Sequence, residues 1–374
     1  MAHHEQQVLS DNPLLRVRQL GQSIWLDFIR RGMNADGQIT SLIRCDGLAG
    51  ITSNPVIFEH AIGHTQDYDT AIAALRSRGA GVDEMYENLV LDDIAQAANL
   101  FLPMLEATEG RDGFVSHEVS PHLAHDTDAT IAEARRWWAR LAHPNVLIKV
   151  PGTAEGIPAI AELIAEGINV NVTLLFSIER YEQVADAYMA GLERRTAHRL
   201  PLSSVASVAS FFLSRIDHLV DQRLDGLGTV QARALRGRIA EALAKLAYQV
   251  YRRLIATDRW RCLADQGARP QRLLWASMSP KNPSYPDVKY VNALIGPDTV
   301  ATLPLQTLTA FRDHGDPACR LEDDLDAARA MPEALQALGI DLAKVSAQLE
   351  EEGIDKFIKP FDSLHETLAQ KMMG

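Results

Sequence analysis

Lys149 stands in an otherwise apolar run, VLIKVPGT, closed by a Pro-Gly turn. A lysine inside a buried strand is either paired with a carboxylate or stripped of its charge by a lowered pKa. Chemistry is the usual return on that cost, because a desolvated amine is a nucleophile that forms a Schiff base with a carbonyl substrate. The structural alternative is a salt bridge to Asp27 or Glu118. Other apolar runs carry isolated polar groups at comparable places: Asp27 in SIWLDF, Thr52 and Asn54 in GITSNP, Ser116 and Glu118 in FVSHEVS, and Asn171 and Thr173 in INVNVTLLF. Taken singly, a strand-end Asn, Asp or Thr is as readily a turn former or a helix cap.

A second group suits an anion. SFFLSRID carries Ser210 and Arg215, and ASMSPKN carries Ser277, Ser279 and Lys281. Hydroxyls and a guanidinium at neighbouring strand ends fit a phosphate, which barrels often hold late in the strand order. Arg215 has an alternative as a first-turn helix residue paired with Asp217, and Lys281 as an exposed loop lysine. His117, His122 and His125 cluster after one run, and His60 and His64 are spaced i, i+4. A metal would need convergent ligands with an open position; these spacings read as loop and surface histidines, with zinc as the minor alternative. No GxGxxG, GxxxxGK[ST] or GxSxG occurs in a suitable context.

The elements that must position these groups are strands alternating with helices. Eight β-rich runs are legible, at 23–28, 47–54, 114–120, 145–152, 168–176, 203–212, 272–279 and 298–304. Amphipathic stretches separate most of them, including 126–142, with Thr127 or Asp128 as its cap, 155–166, and 179–194, capped by Ser177. Repeated strand–helix units predict parallel strands with right-handed crossovers. Strands aliphatic on nearly every residue are covered by helices on their outer faces. The fold class expected is therefore α/β, a (β/α)8 TIM barrel. Additional helices are expected in the β6–β7 connection (214–262) and at the C-terminus (321–372). A single domain over 1–374, with its core at about 20–312, follows from the absence of a Gly/Ser linker, repeat or low-complexity tract.

Strand parity then sorts the side chains. In VLIKVPG, Val146, Ile148 and Val150 face the helices, while Leu147 and Lys149 face the barrel axis. The same rule turns Asp27, Asn54, Glu118, Asn171 and Thr173 inward near the strand ends, where barrel enzymes keep their chemistry.

Composition narrows the partners. Apolar residues make up 47% and charged residues 23%, an ordinary globular balance. A formal charge of −12 argues against a nucleic-acid surface, so an anionic ligand must be met by a few placed Arg or Lys residues. Cys45, Cys262 and Cys319 are sparse and unpaired in spacing, which fits structural thiols in a reducing cytosol. MAHHEQQVLSDNP lacks the apolar centre of a signal peptide, and no run is long enough to span a membrane. A cytoplasmic protein is expected, with no nucleic-acid or membrane partner, as a monomer or homodimer.

Two motifs in order carry a family resemblance. GITSNPVIF resembles the first signature of the transaldolases, the Schiff-base enzymes of the non-oxidative pentose phosphate pathway, and LIKVPGTAEGIPAIAEL resembles the second. INVNVTLLFS and Glu118 also fit, from about strand one to strand eight. The length and WASMSPKNPSYPDVKYVN look most like the longer actinobacterial and cyanobacterial-type branch. The resemblance implies that Lys149 forms the Schiff base with a ketose phosphate and that Asp27 takes and returns the C4 hydroxyl proton. It implies that Glu118 and Thr173 hold the water used in dehydration, and that Asn54 and Asn171 hold substrate hydroxyls and the dihydroxyacetone unit. Ser210 and Arg215 would bind phosphate, with Ser277 and Lys281 also assigned to the substrate.

The implied reaction moves a three-carbon unit from sedoheptulose 7-phosphate to glyceraldehyde 3-phosphate, giving erythrose 4-phosphate and fructose 6-phosphate. The iminium nitrogen accepts the electrons of the broken bond, so neither metal nor organic cofactor is required. Two carboxylates then do separate proton work. The sequence departs from the family at Val56, where a small residue is usual, and at Ser279, where many relatives place a second arginine; Lys281 lies two residues further on. Three other readings stand beside this one. They are an aldolase that releases the three-carbon unit, a metal-dependent aldolase using the histidines, and a silent sugar-phosphate-binding barrel.

Overall fold

The computed structural model describes residues 12–373. The segment read as lacking a signal peptide lies almost wholly outside them. Helix α1 (Pro13–Gln19) leads into β1 (Gln22–Asp27). Helices α2 (Arg31–Ala35) and α3 (Gln38–Asp46) precede β2 (Gly50–Thr52), and α4 (Pro55–Gly63), α5 (Asp69–Ser77) and α6 (Val82–Ala107) precede β3 (Phe114–Glu118). Then follow α7 (Thr127–Leu141), β4 (Val146–Pro151), α8 (Gly156–Glu166), β5 (Val170–Leu175), α9 (Ile178–Ala197) and β6 (Ser207–Phe212). Helices α10 (Ser214–Leu227), α11 (Val230–Leu235), α12 (Ile239–Ile255) and α13 (Asp258–Ala264) connect to β7 (Arg272–Ala276). The chain closes with α14 (Lys289–Ala293), β8 (Thr299–Leu303), α15 (Leu305–His314), α16 (Leu325–Ala337) and α17 (Leu342–Met373).

All eight strands are parallel, in the order β1 to β8, and β8 pairs back onto β1. This is the closed (β/α)8 barrel expected from the alternation, with the additional helices in the β6–β7 connection and at the C-terminus. Several runs were longer than the strands they contain. In 47–54 the first residue is not strand at all, because Gly47 takes the left-handed conformation (φ 67°) that ends α3.

Local chemistry explains the helix starts. Asn54 caps α4 through a bond from Ile57 N, and Pro55 follows at the first helical position. Ser177 caps α9 as expected. The cap of α7 is Asp126, not Thr127 or Asp128: its backbone stays extended (φ −129°, ψ 102°) while its carboxylate accepts from Ala129 N. Gly156 opens α8 where only a glycine fits, since a Cβ there would lie 2.0 Å from the Pro151 carbonyl oxygen. The tight turn after the lysine strand depends on that contact.

The expected C-terminal helices of 321–372 resolve into α16 and the long α17, which runs unbroken from Leu342 to Met373 with Pro360 inside it. It packs against α4 and α6 on one side of the barrel and against α10 and β5 on the other. Ser346 Oγ donates to the Phe176 carbonyl (3.1 Å), and the ring of Phe361 meets that of Tyr86 edge-on at 5.4 Å. The helix therefore crosses the C-terminal mouth of the barrel. Among the described residues, no helix is long and apolar enough to cross a membrane.

Candidate active site

Lys149 on β4 and Glu118 on β3 are register partners. Lys149 Nζ donates to Glu118 Oε2 (3.2 Å) and to the Ser53 carbonyl (2.6 Å), and each of the two side chains is about 5% exposed. The salt bridge weighed above as the structural alternative is thus present. The amine also lines a cavity of about 880 Å³ at the strand ends, so pairing and access coexist. Glu118 lies beneath the cavity, and its other oxygen accepts from Thr173 Oγ1 (3.2 Å). Burial raises the pKa of Glu118, and the nearby Lys149 charge opposes the shift.

Asp27 enters the cavity from the end of β1. Its Oδ1 accepts from Thr52 Oγ1 (2.8 Å), which also meets Thr302 Oγ1 (2.7 Å). Burial is again the largest influence and raises its pKa, against the attraction of Lys149. Both carboxylates therefore keep a proton to higher pH than they would in water.

The predicted binding residues divide by depth. Asn54 lines the cavity, and its Oδ1 serves as the α4 cap. Asn171 sits below the cavity floor: its Nδ2 donates to Ser116 Oγ (3.1 Å) and its Oδ1 accepts from Ser210 Oγ (2.7 Å). Ser210 lines the cavity with its proton already given to Asn171. Ser277, held at φ 55°, shares a hydrogen bond with Ser214 Oγ (2.8 Å) and also faces the cavity.

Arg215 does not pair with Asp217. That acid accepts from Ala240 N (2.8 Å), Lys289 Nζ (3.2 Å) and Tyr290 Oη (2.9 Å). The guanidinium of Arg215 lies instead between the rings of Phe212 (5.5 Å) and Phe357 (5.6 Å), and its Nη1 is buried without a partner among the described residues. Lys281 and Ser279 reach the cavity from the loop after β7. Lys281 is an exposed loop lysine and a cavity residue at once, with desolvation and the Arg215 charge lowering its pKa.

The histidines diverge. His117 is a correction: it is fully buried rather than on a loop or surface. Strand parity turns it outward under the helix layer, 4.1 Å from the Trp137 ring, where burial lowers its pKa to about 3. His122 pairs with Asp362 and His125 with Glu155. Among the described residues, no group of three His, Cys, Asp or Glu side chains is placed to hold a metal.

Several cavity residues were not singled out from the sequence. Thr302 on β8 is one. Gln348, Glu352, Lys356 and Phe357 of α17 are others. The polar members recur every four residues, which on sequence alone reads as a solvated helix face. The available signal was Gly353, a glycine in a helix interior.

A closed parallel barrel whose strand-end cavity holds a lysine paired to the buried Glu118 and, beside it, the half-buried Asp27 defines a barrel enzyme with a lysine-centred site. The transaldolase/fructose-6-phosphate aldolase profile matches residues 24–368. The chain is 48% identical over 371 residues to the transaldolase of Trichodesmium erythraeum, covering 96% of this chain and 98% of that protein. It is 46% identical over 372 residues to transaldolase 2 of Nostoc sp. (strain PCC 7120), with coverage of 96% and 98%. It is 45% identical over 362 residues to the transaldolase of Thermobifida fusca, again covering 96% and 98%. The chain belongs to the transaldolase/fructose-6-phosphate aldolase family, as its two motifs suggested, and cyanobacterial and actinobacterial proteins are among its relatives. It is accordingly an enzyme, a transferase of the transaldolase type.

Proposed function

We propose that the cavity carries out transaldol transfer through an imine on Lys149. The amine adds to the C2 carbonyl of a ketose phosphate, and the carbinolamine loses water to give the iminium. Glu118, bonded to both Lys149 and Thr173, supplies the proton that lets hydroxide leave as water. Asp27 takes the C4 hydroxyl proton as the C3–C4 bond breaks, and the bond's electrons pass to the iminium nitrogen. An aldose phosphate departs and the three-carbon enamine stays. A second aldose phosphate then receives it by the reverse steps.

Sedoheptulose 7-phosphate and fructose 6-phosphate fit the assignment as ketose donors, with glyceraldehyde 3-phosphate and erythrose 4-phosphate as the aldose acceptors and the cytoplasm as the setting. Arg215, Ser277 and Lys281 bind the phosphate, and Asn54 the sugar hydroxyls. The observation that carries the reading is the Thr173–Glu118–Lys149 chain, which ends at the same cavity as Asp27.

The test is chemical trapping. After incubation with fructose 6-phosphate and borohydride, peptide mass spectrometry is expected to find a reduced three-carbon adduct on Lys149, absent in Lys149→Ala. A protein that binds the substrate and yields no adduct would make Lys149 a structural charge.

A further inference from the structure

The C-terminal helix brings more charge to the cavity than the proposed chemistry uses. Gln348, Glu352 and Lys356, four residues apart on α17, all line it. Gln348 Nε2 donates to Glu352 Oε1 (2.7 Å), and Lys356 Nζ donates to Glu352 Oε2 (3.3 Å). The bond from Gln348 above all holds the carboxyl of Glu352 below its usual range, so it stands at the mouth as an anion. Facing it across the cavity are Arg215, with an unpartnered buried Nη1, and Lys281, which forms no ion pair among the described residues. Arg215 and Lys356 both repel the Lys281 charge. Three cations thus converge on this side of the cavity, where Glu352 holds Lys356 and Asp27 attracts Lys281 and Arg215.

The approach of α17 is built into its sequence. A glycine in a helix interior is unfavourable against alanine. At Gly353 a Cβ would lie 2.9 Å from Leu174 Cδ2 and 3.3 Å from Arg215 Nη1. Leu174 itself is held at φ 59°, within the irregular pairing of β5 with β6. The glycine lets the helix backbone settle against both, and that places Lys356, about one turn further on, over the cavity beside Arg215 and Lys281.

Converging cations short of counter-charge suit an anion with several acceptor oxygens. We propose that Lys356 is the third cation of the substrate phosphate site, and that Glu352 is a resident carboxylate which holds Lys356 until a phosphate dianion displaces it. A phosphate monoester carries a charge of about −1.5 to −2 at neutral pH and three acceptor oxygens, more than a single carboxylate offers. Lys356 is then a specificity residue that favours phosphorylated over unphosphorylated sugars. The identity of the sugar rests on the transaldolase reading; the phosphate contact does not.

The experiment uses the full chain and inorganic phosphate as probe, with affinity read by calorimetry. Lys356→Ala is expected to weaken phosphate binding about tenfold, the worth of one charge-assisted hydrogen bond. Lys356→Arg should recover most of it, and Glu352→Gln should tighten binding by removing the competing charge. With erythrose 4-phosphate and unphosphorylated glyceraldehyde as alternative acceptors, Lys356→Ala should lower the preference for the phosphorylated one, chiefly through KM. Unchanged phosphate affinity in Lys356→Ala overturns the proposal. So does a Glu352→Gln variant that binds more weakly, since the pair would then be only a helix-surface contact. Wild-type phosphate binding that depends on Lys356, with no borohydride adduct on Lys149, would sink the transaldolase reading and leave this one standing.

Discussion

Glu118 and Lys149 sit opposite each other on adjacent parallel strands, and their side chains close an ion pair of 3.2 Å that is hidden from bulk water yet reaches the cavity floor. The carboxylate satisfies the lysine without blocking its amine. Glu118→Gln preserves the shape and removes the titrating proton. Imine formation is expected to slow by about 10²-fold or more, as for the loss of a general acid or base. The check is a time course of borohydride trapping with fructose 6-phosphate; an undiminished trapping rate would remove Glu118 from the proton path.

Asp27 makes a different prediction, in which stability and activity move in opposite directions. Its folded pKa is raised, chiefly by burial, above the ordinary 3.8. The folded state therefore binds the proton more tightly than the unfolded chain does. Below the ordinary value both states are protonated and no cost appears. As pH rises through the folded pKa, stability is lost to ionising a buried acid. Asp27→Asn should melt at a higher temperature than wild type at neutral pH and lose that advantage in acid. Turnover should fall by about 10²–10⁴. Calorimetric melting across pH measures the first effect; a variant that gains nothing at neutral pH would show that the surrounding bonds fully offset the burial.

The barrel and most of its inward groups were legible in the sequence because strand parity is rigid: once β4 is placed, Lys149 has one direction to face. The same rule located Glu118, Thr173 and Asp27 from short local runs. His117 reads as a loop or surface residue, although its place between Ser116 and Glu118 turns it outward, under the helix layer that buries it. The α7 cap was missed because Asp126, Thr127 and Asp128 are all competent, and only the backbone conformation decides among them. The α17 residues were illegible for a different reason. Their neighbours in the cavity come from strands far off in the sequence, from Asp27 on β1 to Thr302 on β8, and a polar helix face carries no mark of what it lies against. Gly353 is a residue there whose type conflicts with a helix interior, and the conflict is resolved by Arg215 and Leu174.

That glycine can be tested directly. By helix propensity alone, Gly353→Ala should stabilise α17 by about 1 kcal/mol. The contacts at 2.9 Å and 3.3 Å predict otherwise: Leu174 or Arg215 must shift, or the helix must lift. The expected result is a melting temperature no higher than that of wild type, together with a raised KM for sugar phosphates. A more stable enzyme with unchanged KM would show that Arg215 relaxes without consequence.

Phe357 sits 6.0 Å from Lys149 Nζ and 5.6 Å from the Arg215 guanidinium, measured to its ring, and is 3% exposed. With Leu349, it is an apolar group that α17 brings to the cavity, and it lies close to both the Lys149 amine and the Arg215 guanidinium. An enamine on Lys149 survives for transfer only if water and its protons are kept away. Phe357→Ala should therefore leave imine formation possible and shorten the life of the three-carbon intermediate. With fructose 6-phosphate alone, free dihydroxyacetone should appear severalfold faster than from wild type, and the yield of transfer to erythrose 4-phosphate should fall. Truncating a buried phenylalanine costs about 3–5 kcal/mol, so Phe357→Leu serves as the companion that keeps the site covered. Its release of dihydroxyacetone should stay close to wild type. Equal release from all three proteins would mean that the ring packs the helix in place and takes no part in excluding water from the intermediate.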